Sequence, residues 1–179
     1  MENVTVTITV NGKAYEKEIP PRRLLSDFLR HDLGLTGTHV GCEHGVCGMC
    51  TILIDGQSAR SCLNFAVMHD GASIETVESL GTPTNMHPLQ EGFWAKHGLQ
   101  CGFCTPAMLM VSKELLDSNP NPNRAEITEA ISANLCRCTG YQTIIDSIEE
   151  AVRVSHESAE LDDADRSPQL AEQKEATHE

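Results

Sequence analysis

No stretch of about 18 apolar residues occurs in the 179-residue chain, so no transmembrane helix is expected. Basic residues are scarce: 13 Lys plus Arg stand against 26 Asp plus Glu, a formal net charge of −13. That balance argues against nucleic acid or an anionic membrane as partner, since both are held by Lys and Arg, and without an apolar run no membrane insertion is expected. No secretory leader is expected either: MENVTVTITV has no basic start and alternates polar with apolar, as a strand does. Arg22-Arg23 before Leu24-Leu25 faintly resembles a twin-arginine export signal, but Asp27 and Arg30 interrupt any apolar stretch. There is no nucleophile elbow, phosphate loop or dinucleotide fingerprint, and no internal repeat. Aromatics number four Phe, two Tyr and one Trp. Against these absences stand eight cysteines, well below the roughly 8–10% of a disulfide scaffold. The expectation is a cytoplasmic chain with reduced thiols, in which clustered cysteines read as metal ligands or redox groups before disulfides.

The chain divides into three parts. Val4, Val6, Ile8 and Val10 alternate with threonines, and Asn11-Gly12 separates them from a second strand-like run near Ala14–Ile19, a hairpin signal. Leu24, Leu25, Phe28 and Leu29 share a helical face, with Gly34 as a C-terminal cap. Thr51–Ile54, the turn Asp55-Gly56 and the residues leading to Cys62 predict another hairpin, and Ser73–Thr76 a last strand. Residues 1–80 therefore read as a small mixed sheet with one packed helix, ending at Gly81-Thr82-Pro83.

From residue 84 the period is helical. Leu89, Phe93 and Trp94 mark one helix, closed by Gly98. Pro106 opens a second, running through Met108, Leu109 and Val111 to Leu115 and Leu116. Asn119-Pro120-Asn121-Pro122-Asn123 breaks the chain, and Asn123 with Glu126 resembles a capping pair for a third helix carrying Ile127, Ala130, Ile131 and Leu135. Ile144, Ile145, Ile148, Ala151 and Val152 form the stripe of a fourth. Residues 84–155 thus predict a four-helix bundle. Residues 156–179 form an acidic tail, with eight acids and two bases from Glu157 onward, expected to be disordered.

The cysteines carry the chemistry. Cys42-x4-Cys47-x2-Cys50, followed at a distance by Cys62, is the plant-type [2Fe–2S] spacing. Three thiolates must converge from one tight loop, and the interleaved Gly41, Gly45 and Gly48 permit the wrapping and leave N–H groups to point at sulfur. A structural zinc site would show two close pairs, which fits this set poorly. No C-x-x-H follows Cys42-Glu43-His44, so a Rieske centre is disfavoured and His44 reads as a loop residue. The second set is Cys101-Gly-Phe-Cys104 and, after 31 intervening residues, Cys136-Arg-Cys138. Here a cluster, a zinc ion and a redox disulfide all stay open. Cys104 heads one helix, while Cys136 and Cys138 lie between the third helix and the fourth. Helix N-termini suit an anionic cluster. With roughly 75–80 residues per half, an apolar core alone gives marginal stability, so a metal centre in each would act as a staple coupled to folding.

Three segments carry a resemblance: Val40-Gly41-Cys42-Glu43-His44-Gly45-Val46-Cys47-Gly48-Met49-Cys50-Thr51, Gln100-Cys101-Gly102-Phe103-Cys104-Thr105-Pro106 and Asn134-Leu135-Cys136-Arg137-Cys138-Thr139-Gly140-Tyr141. Together they resemble the iron–sulfur small subunit of the molybdenum hydroxylases, the xanthine dehydrogenase, aldehyde oxidoreductase and CO dehydrogenase family, over nearly all of residues 3–154. The resemblance implies an α+β fold in which a β-grasp, plant-ferredoxin-like domain precedes a four-helix bundle, each holding a [2Fe–2S] cluster. It implies Cys42, Cys47, Cys50 and Cys62 as ligands of a cluster facing FAD in a medium subunit. Cys101, Cys104, Cys136 and Cys138 would hold a cluster near a molybdopterin cofactor in a large subunit, with Gln100 and Cys138 approaching the pterin. The assembly implied is a heterotrimer or its dimer, and this chain would serve as the electron wire with no substrate chemistry of its own. Three positions depart from the family pattern: Ala107 and Ala133 stand where glycine is usual, and Met49 where alanine is frequent.

Overall fold

The computed structural model describes residues 2–157. The acidic segment expected to be disordered lies, from residue 158 on, outside the described residues; residues 156 and 157 still belong to the last helix.

Strands β1 (Val4–Val10) and β2 (Lys13–Ile19) form the first hairpin. Asn11 and Gly12 turn it with φ of 51° and 77°, the twist that a two-residue hairpin between right-twisted strands requires. Asp55 and Gly56 (φ 50° and 83°) do the same between β3 (Thr51–Ile54) and β4 (Gln57–Arg60). Strand β5 (Ser73–Glu75) pairs parallel with β1 and antiparallel with β3, giving the mixed order β2-β1-β5-β3-β4. Val6, Ile8 and Val10 turn inward onto Leu25, Phe28 and Leu29, all buried.

The expected helix over 24–29 is shorter and irregular. Only α1 (Leu25–Asp27) is α-helical, and Phe28–Asp32 widens into a π turn closed by Leu33 N–H to Phe28 O at 3.0 Å. Gly34 then takes φ 74° as the sequence predicts. Arg23 of the arginine pair is salt-bridged to Asp32 at 3.0 Å.

Four helices follow: α2 (Pro88–Ala95), α3 (Thr105–Ser118), α4 (Arg124–Ile131) and α5 over residues 142–157. The Asn123–Glu126 capping box forms as expected, with Asn123 N–H to Glu126 Oε2 at 2.7 Å and Glu126 N–H to Asn123 Oδ1 at 3.2 Å. Three details differ. At the end of α2 His97, not Gly98, adopts the left-handed conformation (φ 57°), while Gly98 N–H reaches Phe93 O at 2.9 Å. A Cβ at Gly98 would sit 2.4 Å from Ser147 Oγ, so that glycine serves close packing. Trp94 points to solvent at 76% exposure, although Leu89 and Phe93 are buried. Leu135 lies beyond α4 and is exposed, its backbone used elsewhere.

The two halves share a core. Met49, Leu53 and Leu80 from the sheet half pack with Phe93, Met108, Ile127, Ile131 and Ile148 from the helices. Polar ties add to it: Lys113 Nζ to Glu75 at 3.4 Å, and Ser58 N–H to Glu114 Oε1 at 2.8 Å. Among the described residues no helix is long and apolar enough to cross a membrane.

Candidate metal centres

The eight thiols gather into two groups, and each group splits into two pairs. In the first, Cys42 contacts Cys47 and Cys50 contacts Cys62. In the second, Cys138 Sγ lies 3.5 Å from Cys101 Sγ, and Cys104 contacts Cys136. Between pairs the influence is that of charge at a distance. Two pairs, rather than four equivalent thiols, are what a two-iron centre needs, with two thiolates per iron; one tetrahedral zinc ion takes all four alike. Among the described residues no group of three or more His, Cys, Asp or Glu is placed to hold a single metal ion.

The first loop aims its amides at sulfur. Cys47 N–H points to Cys42 Sγ, Met49 N–H to Cys47 Sγ and Cys62 N–H to Cys50 Sγ, each at 3.5 Å. Backbone N–H groups of Cys47 and His44 hold the Cys42 thiol down at about 6, whereas burial and then the Cys50 contact push Cys62 up to about 11. Burial raises Cys47 as well. A cation that replaced the thiol proton would reverse these burial penalties, so metal uptake at this set would release protons. Glu43, Gly45 and Gly48 all take positive φ to wrap the loop. His44 donates its Nδ1–H to the Cys42 carbonyl, a loop role.

The second group is built at the start of α3 and in the loop before α5. Cys104 is the N-cap of α3, where burial, followed by the Cys136 contact, pushes its thiol up to about 12. Cys136 is lowered overall: burial acts upward, but hydrogen bonds from Thr139, whose Oγ1 lies 3.1 Å from the sulfur, outweigh it. The Cys136 N–H is fixed by Tyr141 Oη at 2.9 Å, and Tyr141 itself stands at φ 69°. Cys101 is lowered by the Phe103 N–H, and Cys138 is raised by its contact with Cys101. Both are exposed, and so is Gln100 beside them.

The two groups meet. A cavity of about 270 Å³ is lined by Cys47 and Met49 from one side and Cys101, Cys104, Cys136 and Cys138 from the other. Leu135 N–H donates to the Cys47 carbonyl at 2.9 Å. The His39 ring stacks on Phe103 with centroids 4.8 Å apart, and its Nδ1–H donates to the Phe103 carbonyl at 2.8 Å. Arg60 donates to the Ala133 carbonyl at 2.8 Å. Among the buried polar groups that lack a hydrogen-bond partner in the described residues are the Asn134 carboxamide between the loops and Thr105 Oγ1 next to Cys104. Orphans of this kind beside thiol sets fit a group with sulfur acceptors. Of the departures from the family pattern, Ala107 and Met49 are buried in packing, and Ala133 contributes its carbonyl.

Cysteine spacing assigns no role to His39, Asn134, Thr139 or Tyr141. The last three lie inside the cysteine motifs, the one signal available for them; His39 acts through a contact 64 positions away.

Comparison with known proteins agrees with this geometry. Residues 8–77 match the 2Fe-2S iron-sulfur cluster binding domain, and residues 76–149 the [2Fe-2S] binding domain. The chain is 54% identical over 151 residues to caffeine dehydrogenase subunit gamma of Pseudomonas sp. (strain CBB1), spanning 83% of this chain and 90% of that one. It is 51% identical to the nicotine 6-hydroxylase small subunit of Paenarthrobacter nicotinovorans, over 84% and 90% of the two chains. Its fold matches quinoline 2-oxidoreductase from Pseudomonas putida 86 with a TM-score of 0.81 and 52% identity, covering 85% of this chain and 94% of that one. Aldehyde oxidoreductase from Desulfovibrio gigas matches with a TM-score of 0.82 and 41% identity, though only 17% of that longer chain is covered. With two [2Fe–2S]-binding domains in sequence and such relatives over most of its length, the chain belongs to the iron–sulfur small subunits of the molybdenum hydroxylases and is an oxidoreductase component.

Proposed function

We propose that this chain is the electron-transfer subunit of a molybdenum-containing hydroxylase or dehydrogenase, carrying electrons from the molybdopterin centre of a large subunit to FAD in a medium subunit. Cys42, Cys47, Cys50 and Cys62 hold one cluster, and Cys101, Cys104, Cys136 and Cys138 the other. The clusters supply one-electron carriers, and the polypeptide supplies their spacing and surroundings. The observation that carries this is the sorting of eight thiols into four contacting pairs, with Cys47 of the first set and all four thiols of the second lining one cavity and Cys47 and Leu135 hydrogen-bonded across it.

In this reading residues 1–80 form a β-grasp, ferredoxin-type domain and residues 84–155 a four-helix bundle; the two family matches meet at residues 76–77, a few residues before that boundary. The chain's residues do three things. Loop amides donate to sulfur and so favour the thiolate form. The α3 N-terminus places its positive end at Cys104. Exposed Cys101, Cys138 and Gln100 form the face toward the pterin, while exposed Val46 and Leu63 flank the ferredoxin-type loop and face the flavoprotein. The setting is a cytoplasmic heterotrimer or its dimer.

The test is chemical. The purified chain should be coloured and carry about four iron atoms and four labile sulfides, two of each per [2Fe–2S] cluster. Co-expression with its neighbouring subunits should bring molybdenum and flavin with it. A colourless, folded sample without inorganic sulfide overturns the cluster reading; clusters without flavin or molybdenum overturn the subunit reading.

A further inference from the structure

Asn134 is fully buried, and both its side-chain oxygen and its side-chain nitrogen lack a partner among the described residues. It sits where the second thiol loop docks on the first. A Cβ on Gly48, which has φ 77°, would lie 2.4 Å from Asn134 Oδ1 and 2.6 Å from the Ala133 carbonyl oxygen. The carboxamide thus rests directly on the backbone of the Cys47–Cys50 loop. Its neighbours are tied on both sides: Ala133 accepts from Arg60 at 2.8 Å, and Leu135 donates to Cys47 at 2.9 Å. These ties hold the backbone on both sides of Asn134 in place.

A buried primary amide with neither donor nor acceptor satisfied is costly, and native interiors nearly always satisfy such groups. The described residues offer no partner, which leaves room for one supplied from outside the polypeptide. Resting on the two-cluster reading above, we infer that the Asn134 side-chain N–H donates a hydrogen bond to sulfur of the ferredoxin-type cluster. Asn134 belongs by sequence to the other cluster's loop, so each loop then helps set the electronic environment of both centres. A donor to sulfur stabilises the more negative, reduced cluster and so raises its reduction potential.

The experiment is an EPR-monitored redox titration of the full chain loaded with both clusters. In Asn134→Leu, similar in size and without a donor, the ferredoxin-type signal shifts to a more negative potential while the second signal keeps its own. Asn134→Asp, which loses the donor and adds negative charge, shifts it further in the same direction. Loss of thermal stability with both potentials unchanged assigns the amide to an enclosed water and overturns the inference. Should neither variant assemble its cluster, pulsed EPR on wild-type protein labelled with nitrogen-15 in asparagine side chains decides. A weakly coupled nitrogen on the ferredoxin-type signal supports the hydrogen bond, and its absence overturns it; Asn64, near Cys62, already gives its amide to the Arg60 carbonyl at 2.9 Å. A wild-type chain with no cluster signal at all sinks the cluster reading instead.

Discussion

The carbonyl oxygen of Cys47 accepts the amide proton of Leu135 at 2.9 Å, which joins the loop of the first thiol set to the residue preceding Cys136 of the second. No residue of this contact is within 80 positions of its partner in sequence, yet Gly48 and Asn134 press together beside it.

Gly48 is the position where that contact is least forgiving. Gly48→Ala places a methyl group against the Ala133 carbonyl and forces an L-residue to φ 77°. Left-handed strain and overpacking together should destabilise the loaded protein by about 2 kcal/mol or more. Thermal unfolding monitored by visible absorption checks this, and a midpoint equal to wild type contradicts it.

Cys104→Ser removes the buried N-cap thiol of α3. One of two distinguishable EPR signals should vanish while the other, from the Cys42 loop, persists. Two unaltered signals would refute the ligand assignment.

In protein stripped of clusters the thiols should differ in reactivity. Cys42, held at about 6 by backbone N–H groups, is already thiolate at neutral pH; its alkylation rate rises as pH climbs through about 6 and then levels. Cys104, buried and raised to about 12, stays protonated and reacts last. Mass-mapped alkylation between pH 5 and 9 (roughly, the span over which free thiols begin to ionise) measures the order, and Cys104 reacting ahead of Cys42 would reverse it.

Leu53 lies on β3 yet belongs to the core formed by α3, α4 and α5. Leu53→Ala should therefore cost about 2–5 kcal/mol and lower the stability of both halves in one transition. Circular dichroism and bleaching of the visible bands should move together; separate transitions would show the halves to be independent.

Local chemistry was legible in the sequence. The turns Asn11-Gly12 and Asp55-Gly56, the Asn123–Glu126 box and Cys104 ahead of Pro106 all rest on interactions spanning a few residues, and each stands where spacing placed it. What escaped depends on distant partners. Leu135 fits a helical stripe, but its N–H is claimed by Cys47, so α4 stops at Ile131. Gly98 reads as a cap, whereas Ser147 from α5 dictates its size and His97 takes the left-handed turn. Phe28 fits a regular helix, but its carbonyl bonds one residue further along, at Leu33. Asn134 lies inside a cysteine motif, but its isolation is visible only once two loops meet.

The lone tryptophan offers an optical gauge. Trp94 projects from α2 at 76% exposure, and the same helix end turns through His97 and Leu99 toward Cys101. Its ultraviolet emission falls where iron–sulfur chromophores absorb, so filling of the nearby thiol cage should dim it. A subunit settling over that face should move the emission to shorter wavelength, and one fluorescence trace can then follow both maturation and assembly.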